Sequence, residues 1–124
     1  MAVMTFGDYL RELRGKHSPQ ITQEQLGIAI GRTKMTISQF ESGKNAPPCG
    51  ELLEKISDEL KLSTEERDRL YFLSSFERKS IPLDIEQYFF ENPSICKVIR
   101  AGKEMSMNDL FWENLSERIR DHNV

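Results

Sequence analysis

Paired cysteines, ligand-spaced histidines and long apolar runs are all missing from this 124-residue chain, and each absence closes off a class of protein. Cys49 and Cys96 stand far apart and outside any paired-cysteine motif, so neither a zinc site nor a redox pair is expected, and a reducing compartment suits the chain. His17 and His122 have no histidine, cysteine or carboxylate at metal-ligand spacing, so no metal is expected. No phosphate-cradling glycine loop and no nucleophile with a base appears, which argues against an enzyme and leaves no cofactor to expect. No stretch approaches the ~20 apolar residues that span a bilayer. The opening residues lack the basic segment and apolar run of an export signal, so a soluble, cytoplasmic chain without a membrane partner is expected. Strand-type alternation and internal repeats are absent as well.

What remains is an ordinary globular composition, 38% hydrophobic and 30% charged, too apolar for a disordered chain. The net charge of −3 is at first sight awkward for any polyanion binder. Its distribution matters more. Up to Pro48 there are six Lys or Arg against four acidic residues, and beyond it eleven against sixteen, so the basic excess is confined to the first part.

The helical signals come in series. Phe6, Leu10 and Leu13 share one face, which predicts a first helix over about Thr5 to Arg14. Thr22 with Gln25 forms a capping box, with Ile21 and Leu26 placed as its hydrophobic staple, and Gly31 supplies the stop. Thr33 can cap a third helix. Gly43, Asn45, Pro47 and Pro48 make a loop, after which Leu53, Ile56 and Leu60 mark a fourth helix. Ser63 with Glu66 opens a fifth, carrying Leu70, Leu73 and Phe76 toward the core. Asp84 with Gln87, flanked by Leu83 and Tyr88, reads as one more capping box, and Asn92 before Pro93 as a further helix start. A last helix is predicted from about Asn108 to Arg120, with Phe111, Leu115 and Ile119 in one stripe. Cys96, between Ile95 and Val98, reads as a small buried hydrophobe.

The stretch from Thr22 to Pro48 holds the chemistry. Two short helices joined by Gly31 to Thr33 must cross steeply, at roughly 90–120°, to share a core, and Gly27 gives them room to approach. On a helical wheel Ile37 and Phe40 define the buried side of the third helix, so Met35, Ser38, Gln39 and Ser42 face away, with Lys34 at the N-terminal rim. Such a face suits the DNA major groove. Glutamine can pair bidentately with adenine, lysine can donate to guanine or phosphate, and an apolar side chain can touch the thymine methyl. Helix N-termini favour phosphate, with Gln23, Thr33 and Thr36 placed to assist. Lys44 and Asn45, just past the helix, can reach the backbone again.

The pattern Thr22, Gln23, Leu26, Gly31, Thr33, Ile37, Ser38, Glu41, Gly43 and Pro47 resembles, without gaps, the helix-turn-helix of the phage-repressor and Xre-type regulator family in its five-helix form. The resemblance covers roughly Phe6 to Phe76. It implies an all-α fold with a five-helix, lambda-repressor-like DNA-binding domain, DNA contacts from Gln23, Lys34, Met35 and Gln39, and a structural pair between Arg14 and Glu41. Gly27 stands where the family usually has alanine, Arg32 where a small apolar residue is common, and the loop after Arg14 is two residues longer. Ile28 and Ala29 occupy positions that are often charged, which predicts that this face packs on the C-terminal helices or on a second subunit.

The domains expected are 1–79, the DNA-binding domain, and 80–124, a C-terminal extension of about three helices for dimerisation or partner binding. The expected partners are double-stranded DNA and a second copy, because a two-fold dimer spaces recognition helices about 34 Å apart on successive grooves. The expected function is transcriptional regulation, by repression. The alternative is an antitoxin or phage-control interaction protein whose C-terminal helices bind a protein partner.

Overall fold

Side-chain caps set where most of the helices begin. The computed structural model describes residues 4–122, and all its regular elements are helices. They are α1 (Phe6–Lys16), α2 (Gln23–Ala29), α3 (Lys34–Ser42), α4 (Gly50–Glu59), α5 (Thr64–Arg78), α6 (Leu83–Glu91), α7 (Ile95–Glu104) and α8 (Asp109–Arg120). Reciprocal capping boxes open α1 (Thr5 with Asp8), α2 (Thr22 with Gln25) and α5 (Ser63 with Glu66). Thr33 and Asn108 cap α3 and α8 with single bonds to the backbone N–H of Thr36 and Phe111, at 3.3 and 3.2 Å. Each such bond satisfies a donor that the helix itself leaves free.

Two predicted starts lie elsewhere. α6 begins on the carbonyl of Pro82, which accepts from the N–H groups of Ile85 and Glu86, each at 3.1 Å. Asp84 is therefore already inside the helix, and Gln87 reaches forward to Glu91 at 2.8 Å instead of back to a cap. Asn92 finishes α6, donating from its side chain to the Tyr88 carbonyl at 2.9 Å. The chain then turns through Pro93 and Ser94, and α7 starts at Ile95 without a side-chain cap.

The chain divides into two compact units, Met1–Glu86 and Gln87–Val124, with the division falling inside α6. The first has a single core: Phe6, Tyr9, Leu10 and Leu13 from α1, Leu26 and Ile30 around the end of α2, Ile37 and Phe40 from α3, Leu53, Ile56 and Leu60 from α4, and Leu70 and Leu73 from α5. Each large apolar side chain buried this way contributes roughly 1.5–3 kcal/mol. Phe76 is not among them, being 64% exposed. The inward line of α5 runs Leu70, Leu73, Ser74, and Phe76 projects off it to stack on Phe72 outside, ring centroids 5.8 Å apart.

In the second unit no apolar side chain among the described residues is buried. α7 and α8 approach at Gly102, where a Cβ would fall on the Trp112 ring. Cys96 is half-buried, as is Cys49 in the first unit, against the full burial expected of Cys96.

Candidate nucleic-acid interface

The turn between α2 and α3 is built from glycine chemistry at two points. Gly31 sits at φ 76°, a left-handed conformation that costs glycine little, and the chain there closes a Schellman motif. The N–H of Gly31 donates to the Ile28 carbonyl at 3.1 Å, and that of Arg32 to the Gly27 carbonyl at 2.7 Å. Gly27 is the point of closest approach: a Cβ there would lie 2.7 Å from the backbone C and O of Thr33. The two helices thus cross backbone against backbone.

Glu41 fixes this pair to α1. Its side chain is fully buried and accepts from Arg14 Nε at 2.6 Å, Arg14 Nη2 at 2.9 Å, Gln23 Nε2 at 3.0 Å and Arg11 Nε at 3.4 Å. Arg14 also donates to the Ile21 carbonyl at 3.0 Å. Burial pushes the Glu41 carboxyl up, but the hydrogen bonds from Arg14 and Gln23, the Arg14 charge and the Arg11 bond outweigh it and hold the group below its ordinary value. One carboxylate therefore joins α1, α2 and α3. The sole acid of α3 is turned inward and neutralised.

With Ile37, Phe40 and Glu41 buried, the opposite face of α3 is open. Lys34 and Met35 are exposed, Met35 at 66%, while Ser38 and Gln39 are half-buried beside them. Thr33 and Thr36 are joined at the N-terminal rim, hydroxyl to hydroxyl at 3.3 Å. Gln23, the first residue of α2, has its amide NH2 committed to Glu41. Lys44 and Asn45 are exposed past Gly43.

Two features of the site were invisible in the residue pattern. The reversal at Gly43 brings Asn45 back onto α3: its N–H donates to the Gln39 carbonyl at 3.3 Å, and its side-chain Nδ2 donates to Gln39 Oε1 at 2.7 Å. Gln39 is thus held by its neighbour, with its own Nε2 left to donate outward. The loop that follows is clamped by α5, where Ser74 Oγ donates to the Pro48 carbonyl at 2.6 Å and Arg78 to that of Pro47 at 3.0 Å. Ile28 is 69% exposed. Among the described residues no group of His, Cys, Asp and Glu is arranged to hold a metal ion, and no helix is long and apolar enough to cross a membrane.

A close α2–α3 approach at Gly27, tied to α1 through Glu41, with an outer face on the second helix that carries no exposed carboxylate, defines the class: this is a helix-turn-helix protein. Residues 5–70 match the family model "Helix-turn-helix domain", and the chain belongs to that family. No curated protein and no solved structure matches the chain. A domain of this family points to a DNA-binding regulator, a class that is typically non-enzymatic.

Proposed function

We propose that this chain is a cytoplasmic, sequence-specific transcriptional repressor that binds a two-fold operator as a homodimer, with α3 in the major groove. The observation that carries the reading is the outer face of α3. Lys34, Met35, Ser38 and Gln39 form a continuous donor-rich and apolar surface, and the helix's single carboxylate is buried and ion-paired on the other side. That surface suits base edges, which reward a glutamine amide, a lysine and a methyl-contacting side chain. Thr33, Thr36, Lys44 and Asn45 lie at its ends, where phosphate contacts fix register. Gln23 supports the site through Glu41, and its free Oε1 and position at the start of α2 suit it to the same rim. Occupying an operator needs no further machinery, which favours repression over activation.

Selection of bound duplexes from a random library, using the full chain, tests this. A consensus with two-fold symmetry is the expected result; a pool without any enriched sequence would overturn the reading.

A second reading has one observation in its favour. Val98 and Ile99 of α7 and Leu110, Phe111 and Ile119 of α8 stand exposed, as they would in an interaction protein whose C-terminal helices grip another protein. DNA contact would then be secondary.

A further inference from the structure

We infer that Gln39 selects guanine rather than adenine, because Asn45 already holds the oxygen of its side-chain amide. The inference rests on the proposed DNA function and names the base that this part of the site selects. Residue type alone suits a glutamine to adenine, where Nε2 donates to N7 while Oε1 accepts from N6. In the structure Oε1 is engaged without any duplex: Asn45 Nδ2 donates to it at 2.7 Å, at the short end of the range for such bonds.

Two bonds tie this pair of residues together. Gly43, at φ 80°, turns the chain back so that the Asn45 backbone N–H donates to the Gln39 carbonyl at 3.3 Å. The two side chains therefore start from backbones already held together, and little ordering remains to oppose the bond between their amides. Gln39 Nε2 has no hydrogen-bond partner among the described residues, so both of its N–H groups are free to donate. A contact to adenine would ask Oε1 to serve a second donor. The oxygen keeps one lone pair for it, but that bond adds to one already made, whereas every bond from Nε2 is new. Guanine asks for donors alone, since N7 and O6 both accept. Thymine presents a single acceptor in the major groove and cytosine only a donor, so guanine heads the order. Asn45 thus acts as a positioning residue that sets which end of the Gln39 amide faces the duplex.

Competition binding of the full chain to the consensus duplex found by selection tests this, with all four base pairs placed in turn at one position. That position is the one whose preference Gln39→Ala abolishes. The wild type is expected to favour guanine there over adenine by about tenfold, within what one good side-chain contact to a base discriminates. Asn45→Ala, at an exposed position, frees Oε1, and the guanine-to-adenine ratio should fall about threefold or more. Asn45→Asp keeps the shape but can only accept, so it turns the Gln39 amide over, sends Oε1 outward and should carry the preference to adenine. The readout is a ratio between duplexes, so a general loss of affinity from the added carboxylate cancels. A wild type that favours any base other than guanine, a ratio that either Asn45 variant leaves unmoved, or the lack of any position at which Gln39→Ala alters preference would each overturn the inference and leave DNA binding standing. A library from which no duplex is enriched would take down the proposed function, and this inference with it.

Discussion

Glu41 is the residue on which the reading unit turns, and its value lies in what would be stranded without it. Replacing it by glutamine keeps the shape but leaves the Arg14 guanidinium, 16% exposed, without its counter-charge. Removing one partner of a buried pair is strongly destabilising, so Glu41→Gln should cost about 3 kcal/mol in denaturant unfolding. The folded-state pKa lies below the unfolded one, so this contribution is present in full above the ordinary glutamate range, near ~4.3, and disappears as pH falls through the lower folded value. The stability curve of the variant should be flatter in that acid window than that of the wild type. Asn45 works by a different route. Its bond to Gln39 Oε1 fixes the amide, so on the proposed reading, in which Gln39 meets a base, Asn45→Ala should weaken the cognate duplex by about 0.5–1.5 kcal/mol and relax preference chiefly at the base pair facing Gln39. Competition with single-base duplex variants measures it; equal loss on all of them would reduce Asn45 to a phosphate contact. Neither role could be read from residue type alone. The Arg14–Glu41 pair entered through the family resemblance, and the Gln39–Asn45 bond depends on a reversal at Gly43 that periodicity does not describe.

At the level of elements, the starts legible in the sequence were those made by side chains. Thr22, Thr33, Ser63 and Asn108 accept from backbone N–H groups three residues on, and that chemistry is written in residue type and spacing. α6 and α7 begin on backbone carbonyls, those of Pro82 and of Asn92 and Pro93, which every residue possesses. Asp84 and Asn92 therefore looked like caps and are not. Phe76 misled for a related reason: small serines take the inward line of α5, and an aromatic at nearly helical spacing was read as core. The α2–α3 crossing was legible through Gly27, and its tightness can be tested. Alanine would gain about 1 kcal/mol in helix propensity, but its Cβ would press on the Thr33 backbone, which cannot move aside as a flexible side chain would. Overpacking of that kind costs typically ~1–3 kcal/mol, so strain offsets and exceeds the gain. Gly27→Ala should lower the thermal midpoint, and a rise would mean that the crossing has slack.

For the whole molecule the question is which charge a DNA duplex meets. The chain totals −3, and a net-charge argument would have salt relieve repulsion and strengthen binding. The acids are not distributed that way. The stretch that ends at Pro48 is basic by two charges, its buried Glu41 is already neutralised by Arg14, and Lys34 and Lys44 stand at the two ends of α3. Screening acts over roughly 8 Å at physiological ionic strength, so distant carboxylates matter less than cations close to the phosphates. Each phosphate that Lys34 or Lys44 neutralises releases counterions, and affinity should fall as salt rises, with a logarithmic slope of about −0.9 per contact. Lys44→Ala should make that slope shallower by about one unit per protomer while lowering affinity equally on every sequence. A titration of the selected duplex at several salt concentrations decides between the two views of charge. Affinity that climbs with salt would show the acidic remainder in command, and would remove Lys44 from the interface.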